Sequence, residues 1–270
     1  YLESQKKIYL PRFYGIERFG IPMENKIPNG LKININFKGD VRDYQREIID
    51  NFMSAIKERP GGLLDIPCGF GKTIMALYII SLLGLKTLVI VHKGFLLDQW
   101  IEKILEFLPD AKIGRIQGQI IDIEEKDIVI GMLQSLSMKD YPEGTFNEFG
   151  FTIIDECHHI GAEVFVRALQ KIVTPYILGL SATMERKDGL TKIFKMFIGE
   201  VIYKMKRSKD DTVLVKAIKF MTTDEEFNTV EYDFRGNVKY STMMSKLCSF
   251  NARTELILDI IKNELKMNNN

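Results

Sequence analysis

Apolar residues follow two different patterns along the middle of the chain. After Asp40 they recur at helical spacing, which predicts a helix that ends before the turn at Pro60. The same spacing predicts further helices over Thr73–Leu83, Leu96–Leu108 and Ala162–Ile172. Continuous apolar runs predict buried strands over Leu63–Ile66, Thr87–Val91, Asp127–Ile130, Phe151–Ile154 and Tyr176–Leu180. Strands that alternate with helices indicate an α/β fold, in which helices flank a mostly parallel sheet.

The two ends of the chain differ from this central pattern. Residues 1–40 contain strand-like runs at Lys7–Leu10 and Leu31–Phe37 with turn residues between them, which predicts a small β-rich segment. After Gly189 the pattern loosens, and Lys239–Leu265 is expected to be helical. We therefore expect three parts: residues 1–40, a central domain over residues 41–205, and a further segment over residues 206–270.

Composition excludes several classes of protein. With 46% apolar and 27% charged residues, the 270-residue chain is not largely disordered, and its net charge of +1 excludes a globally basic, histone-like protein. Its three cysteines, at positions 68, 157 and 248, form no CxxC pair, so neither a zinc finger nor a disulfide framework is expected. No signal peptide or membrane-spanning run is visible. These features favour an intracellular protein of the cytoplasm or nucleus.

A glycine-rich loop follows the first predicted strand of the central domain. It spans Pro67–Thr73 and leads directly into a predicted helix, although Ile66 occupies the first glycine position of the strict phosphate-loop pattern. Glycines let backbone N–H groups turn toward an anion, and the helix N-terminus adds partial positive charge. Lys72 would reach the β- and γ-phosphates of ATP, and Thr73 would hold Mg²⁺. The expected ATP-binding residues of this loop are Pro67, Cys68, Gly69, Phe70, Gly71, Lys72 and Thr73. The alternative is a glycine-rich turn with a solvated lysine.

Two adjacent carboxylates follow the strand predicted over Phe151–Ile154. Asp155 suits Mg²⁺ binding, and Glu156 suits the deprotonation of a water that attacks the γ-phosphate. We therefore predict Lys72, Asp155 and Glu156 as the catalytic residues. The alternative is an acidic loop or helix cap. A transition-metal site is not expected, because the chain has three histidines and no cysteine partner for Cys157.

The order of these motifs resembles that of the superfamily 2 helicases and translocases. Three segments occur in the order in which the family carries its motifs: Pro67–Thr73, Asp155-Glu156-Cys157-His158 and Ser181-Ala182-Thr183. The second of them, DECH, is similar to the motif of the family's DExH-type members. Further family motifs are similar to Arg42-Asp43-Tyr44-Gln45, His92–Trp100, Gly114-Arg115, Met132–Leu136 and Gly179–Gly189. Gln99-Trp100 and the form of the last motif favour the XPB-like branch and the related helicases of phages and large DNA viruses. The resemblance covers residues 41–199 and implies a RecA-like P-loop domain.

The resemblance also implies roles for residues outside the two loops. Arg42 and Gln45 would recognise adenine, while His158, Ser181 and Thr183 would couple the nucleotide site to nucleic acid. Contacts to nucleic-acid phosphates are implied for Lys93, Arg115, Gln134, Ser135, Arg186 and Lys187. His92-Lys93 and Met184 depart from the usual family residues, which affects the nucleic-acid contacts rather than the nucleotide site. Trp100 lies on the apolar stripe of its helix, so we expect it in the core rather than stacked on a base.

The activity implied is that of an ATP-dependent DNA helicase or translocase in transcription or repair, with Mg²⁺ and ATP. Nothing after Gly189 resembles the second RecA-like lobe of the family, which carries its arginine finger. We therefore expect a monomeric first-lobe fragment of a longer motor, in which residues 206–270 would be the linker and the start of a truncated second RecA-like lobe. Such a fragment would bind Mg-ATP weakly and hydrolyse it poorly. The alternatives are an RNA-directed DExH helicase, the motor of a restriction enzyme, and a nucleotide-gated nucleic-acid-binding module without turnover.

Overall fold

The computed structural model describes residues 2–3, 6–157, 162–182, 189, 191–205 and 216–267. The chain divides into two compact units, Tyr1–Arg207 and Ser208–Asn270. Of the helices in the described ranges, none combines the length and the apolar character that a bilayer span requires.

The first unit is built on one sheet of eight strands. After a short antiparallel pair, β1 (Leu2–Glu3) and β2 (Ile8–Tyr9), the sheet strands are β3 (Gly61–Asp65), β4 (Thr87–Val91), β5 (Ile113–Gln117), β6 (Ile120–Ile121), β7 (Ile128–Met132), β8 (Phe151–Ile154), β9 (Tyr176–Ser181) and β10 (Val201–Lys204). Their spatial order is β10-β3-β9-β8-β4-β7-β5-β6. All neighbours are parallel except β5 and β6. The sheet therefore confirms the α/β fold with a mostly parallel sheet.

Helices cover both faces of this sheet. In the first unit they are α1 (Arg12–Phe19), α2 (Asp43–Ala55), α3 (Lys72–Leu83), α4 (Gly94–Phe107), α5 (Leu133–Met138), α6 (Ala162–Lys171) and α7 (Thr191–Ile198). Helices α2, α3 and α4 pack in one apolar core, and α1, α5, α6 and α7 in another. Neighbouring strand residues alternate between the two cores, so that Leu64 belongs to the first and Leu63 to the second. The central strands are buried on both faces, which explains their continuous apolar runs.

The opening segment differs from the expected β-rich structure. The run at Lys7–Leu10 contains the two-residue strand β2, but α1 was not predicted, and Leu31–Phe37 forms only a single bridge, at Lys32. The N–H groups of that second run bond to separate partners: Leu31 to Glu148 O, and Ile33 to Gly84 O. Since no single neighbouring strand accepts them, no ladder forms, and the strand prediction for this run was wrong.

The second unit contains α8 (Glu225–Asn228), α9 (Tyr240–Ser249) and α10 (Asn251–Met267). The run predicted as one helix over Lys239–Leu265 is therefore two helices. They separate at Phe250, whose backbone is extended with ψ 104°. Its ring lies 4.4 Å from that of Phe227 and 5.9 Å from that of Phe220. These ring contacts hold the break between the helices, and apolar periodicity alone does not reveal such a break.

Candidate active site

The carboxyl ends of three adjacent strands bring the predicted motifs to one edge of the sheet. Strand β9 lies between β3 and β8, so Ser181 at the end of β9 separates the glycine-rich loop after β3 from the acidic loop after β8. The N–H of Ile66 donates to the carbonyl of Ser181 at 2.8 Å, and the N–H of Asp155 donates to Ile90 O on β4 at 3.0 Å. Both loops therefore start from fixed backbone positions, at the edge where ligands bind in parallel α/β folds.

The glycine-rich loop ends in a left-handed turn that begins α3. Gly71 is the N-cap of this helix, with φ 77° and ψ 36°, and Gly69 has φ 86°. A Cβ atom on Gly71 would lie 2.4 Å from Nε2 of Gln45. Glycine is thus favoured at position 71 by its backbone angle, and any larger residue would also displace the side-chain amide of Gln45. The first N–H groups of an α-helix have no partner within the helix, so the start of α3 is a favourable place for an anion.

An ion pair connects the two loops. Lys72 Nζ lies 2.8 Å from Oε1 of Glu156, and the two side chains are 9% and 18% exposed. Glu156 has φ 49°, a left-handed backbone angle that is uncommon for a residue with a side chain and is associated with functional sites. The two residues predicted to act on the γ-phosphate therefore contact one another.

Asp155 is buried beside this pair and is held by a tryptophan. Its Oδ2 accepts a hydrogen bond of 2.8 Å from Nε1 of Trp100 on α4, and the two residues are 5% and 1% exposed. Burial raises the pKa of Asp155, as does the nearby charge of Glu156, whereas the Trp100 hydrogen bond and Lys72 lower it. The raised pKa means that Asp155 is harder to ionise in the folded chain than in water. A cation bound at this carboxylate would stabilise its ionised form and offset that cost.

The donor set fits Mg²⁺ bound together with a nucleotide. Within the described ranges there is no group of three or more His, Cys, Asp or Glu residues that could hold a metal ion. Mg²⁺ needs fewer protein ligands, because it keeps several waters and takes phosphate oxygens as well. The hydroxyl of Thr73 on the first turn of α3 and the carboxylate of Asp155 are oxygen ligands of the required kind.

The predicted adenine-binding residues lie against the glycine-rich loop. Gln45 is 4% exposed; its Oε1 accepts from the N–H of Arg42 at 3.0 Å, and its Nε2 donates to Phe70 O at 3.1 Å. Tyr44 donates its hydroxyl to the same carbonyl at 3.3 Å and meets the half-exposed Phe70 ring edge-on at 6.0 Å. To bond to adenine, Gln45 would have to give up its hydrogen bond to Arg42 or to Phe70. Adenine recognition by Gln45 stays a prediction. Tyr44 was not predicted as a site residue, although it lies within the quoted motif.

The structure brings together only some of the predicted nucleic-acid contacts. Lys93 follows β4 and Gln134 and Ser135 follow β7, so all three lie at the edge that carries the nucleotide loops. Gln134 donates its amide to His92 O at 3.0 Å, beside Lys93. Arg115 instead lies within β5, where it pairs with Ile130, and so lies short of the strand end. His158, Thr183, Arg186 and Lys187 lie outside the described residues.

We expect a thiol-reactive reagent at neutral pH to label Cys68 and Cys248 in the folded chain and to spare Cys157. The first two are exposed, whereas Cys157 is buried, and burial with the charges of Glu156 and Asp155 raises its pKa to about 12. Since the thiolate is the reactive form, Cys157 should react only after unfolding. Mass spectrometry of digests, with a denatured sample as control, measures this. Equal labelling of Cys157 and Cys68 in the folded chain would contradict the described site.

Trp100 is the contact that the sequence interpretation missed. Its expected place in the core is confirmed by its 1% exposure, but its hydrogen bond to Asp155 was not foreseen. One signal was available, because a buried indole N–H usually requires an acceptor. The sequence could not identify that acceptor, which lies 55 residues away.

Comparisons with known proteins agree with this site. Residues 38–186 match the family described as type III restriction enzyme, res subunit. The chain is 33% identical over 275 residues to a protein of Acanthamoeba polyphaga mimivirus that is named as an ATP-dependent RNA helicase, covering 100% of this chain and 53% of that protein. It is 34% identical over 194 residues to the DNA 3'-5' translocase XPB2 of Sulfurisphaera tokodaii, covering 72% and 42% of the two chains. The chain thus spans about half the length of the curated relatives it matches.

Solved structures share the fold of this chain at low identity. The UvsW helicase of bacteriophage T4 has a TM-score of 0.53 at 19% identity and matches 64% of each chain. The SWI2/SNF2 ATPase core of Sulfolobus solfataricus, in complex with double-stranded DNA, has a TM-score of 0.52 at 22% identity and matches 63% of this chain and 38% of the other. These similarities confirm the RecA-like fold. From the family match over more than half of its length, the chain belongs to the type III restriction enzyme, res subunit family, within the superfamily 2 helicases.

Proposed function

We propose that the chain is the first motor lobe of an ATP-dependent DNA helicase or translocase that works in transcription or repair. The observation that carries the proposal is the 2.8 Å contact between Lys72 and Glu156, which joins the glycine-rich loop to the acidic loop. A glycine-rich turn with a solvated lysine, and an acidic helix cap, would each lack this connection. In this proposal residues 41–205 form the lobe, and residues 206–270 lead toward a second one.

The chain's own groups suit binding and hydrolysis of ATP. The N–H groups at the start of α3 bind phosphate oxygens, and Lys72 leaves Glu156 to contact the β- and γ-phosphates. That exchange frees the Glu156 carboxylate to accept a proton from the attacking water. Thr73 and Asp155 would hold Mg²⁺, which neutralises phosphate charge when it is bound.

Nucleic acid would cross the same edge of the sheet, beside the nucleotide. Lys93, Gln134 and Ser135 lie there, and we propose that they contact phosphates together with Arg115, Arg186 and Lys187. Such contacts position a strand without recognising its sequence. The relatives differ in this respect, since the archaeal one is named as a DNA translocase and the mimiviral one as an RNA helicase. DNA is preferred here because Gln99-Trp100 and the motif at Gly179–Gly189 are similar to the XPB-like branch, and an RNA-directed helicase is the second candidate.

We expect duplex DNA to stimulate ATP hydrolysis by the full-length protein more than RNA does. Hydrolysis measured in parallel without nucleic acid, and with duplex DNA, single-stranded DNA and RNA, tests this. Raising the salt concentration should weaken the stimulation, because phosphate contacts release counterions. Stimulation by RNA alone would support the RNA-directed candidate. No stimulation by any nucleic acid would contradict both and favour a nucleotide-gated binding module.

A further inference from the structure

The hydrogen bond from Trp100 to Asp155 joins helix α4 to the proposed cation site. Trp100 is the single tryptophan in the sequence, and its indole Nε1 lies 2.8 Å from Oδ2 of Asp155. Both residues are almost fully buried, at 1% and 5% exposure. The contact lies within the lower-dielectric interior, where a hydrogen bond to a charged group is stronger than at the surface.

The chemistry of the indole makes this contact selective. An indole N–H can only donate, so it favours a carboxylate that accepts over a carboxylic acid that presents its own proton. A carboxylate has two oxygens, and a donor that holds one of them also fixes the orientation of the other. Donors of this kind orient metal-binding carboxylates, and their removal weakens metal binding about 10- to 100-fold.

The surroundings of Trp100 make it a rigid donor. It belongs to the apolar core between the sheet and α2–α4, and Leu97 and Ile104 flank it on the buried face of α4. A close-packed aromatic side chain has few alternative rotamers, so the N–H has a fixed direction. A phenylalanine would fill much of the same space but would donate no hydrogen bond. Packing alone therefore does not account for a tryptophan at this position.

We propose that Trp100 is a positioning residue, which holds Oδ2 of Asp155 so that this carboxylate can bind the divalent cation of the nucleotide. The proposal rests on the proposed function, because it assumes that Asp155 takes part in binding the metal–nucleotide complex. It gives the helix of the Gln99-Trp100 motif an indirect role at the nucleotide site, through Asp155. Trp100 itself contacts neither the cation nor the nucleotide.

We test the proposal with Trp100→Phe, which removes the N–H and keeps an aromatic ring. Calorimetry measures the binding of ADP to the 270-residue chain over a series of Mg²⁺ concentrations and in EDTA. We expect the Mg²⁺ concentration for half-saturation to rise about 10-fold or more in the variant, with ADP affinity in EDTA unchanged. Ile128→Val, which shortens a buried side chain of the same core at the start of β7, away from the site, is the matched control and should change neither quantity.

A second measurement compares the ligand states of the unchanged chain, so its main result does not depend on the stability of Trp100→Phe. Because Trp100 is the single tryptophan, its emission reports on this one site. We expect Mg²⁺ with ADP to shift that emission, ADP in EDTA to leave it unshifted, and Asp155→Ala to abolish the response to Mg²⁺. Emission that is the same in all of these states would overturn the proposal.

The outcomes separate this proposal from the proposed function. If the unchanged chain binds ADP and Trp100→Phe leaves its Mg²⁺ dependence unaltered, the positioning role is overturned and the nucleotide site stands. An equal loss of ADP affinity with and without Mg²⁺ would also overturn it, because that pattern indicates general damage to the core. If the unchanged chain binds no ADP, the proposed function fails and the positioning role fails with it.

Discussion

Replacement of Lys72 by alanine is expected to abolish nucleotide binding by the chain and to lower ATP hydrolysis by the full-length protein about 100-fold or more. Lys72 supplies the one positive side chain on the glycine-rich loop, and its Nζ lies 2.8 Å from Glu156 at the point where the two loops meet. Without it, the β- and γ-phosphates lose their charged partner and Glu156 faces them with an uncompensated negative charge. Calorimetry with ADP and Mg²⁺, and an assay of phosphate release, measure the two effects.

The matched control for this substitution is Lys57→Ala. Lys57 is an exposed lysine just after α2, so its removal makes the same change of charge away from the site. Circular dichroism should show that both variants are folded. If Lys72→Ala bound ADP as tightly as Lys57→Ala does, the loop at residues 67–73 would be a structural turn and the proposed nucleotide site would be wrong.

Replacement of Glu156 by glutamine is expected to separate binding from hydrolysis. Glutamine keeps an oxygen near Lys72 Nζ but has no negative charge and cannot act as a base, so hydrolysis should fall about 10²- to 10⁴-fold. Nucleotide binding should become tighter, because Lys72 no longer has to leave a carboxylate to reach the phosphates. Calorimetry and phosphate release, measured on the same preparations as for Lys72→Ala, compare the two variants.

Glu102→Gln is the control for the loss of a carboxylate. Glu102 lies on the exposed side of α4, so its neutralisation changes the net charge by the same amount without touching the site. Hydrolysis at the unchanged rate in Glu156→Gln would exclude Glu156 as the base. Weaker nucleotide binding in that variant would contradict the proposed exchange of partners by Lys72.

Lys72→Ala and Glu156→Gln are expected to have opposite effects on nucleotide binding, which distinguishes the proposed mechanism from a loss of folding. One substitution removes the phosphate-binding group and the other removes the proposed base, yet both break the same ion pair. If the ion pair served stability alone, the two variants would behave alike. Tight binding without hydrolysis in one variant, and no binding in the other, requires different roles for the two residues.

Local patterns in the sequence were sufficient to predict most of the first unit. The strands at Thr87–Val91 and Phe151–Ile154 were predicted with the observed bounds, because strands buried on both faces are continuous apolar runs. Strands β5, β6 and β10 were not predicted. Gly114 and Arg115 interrupt the apolar pattern of β5, β6 has only two residues, and β10 offers only the short apolar run Val201–Tyr203, none of which is fully buried.

The sequence by itself determined the type of sheet and the two loops that follow its strands, because apolar runs, glycines and adjacent carboxylates are local features. Only the tertiary structure decided which side chains meet. The order β3-β9-β8 brings Lys72 to Glu156 across 84 residues, and the packing of α4 brings Trp100 to Asp155 across 55. Contacts of this kind depend on strand order and helix packing, which are settled by the burial of apolar surface from the whole unit.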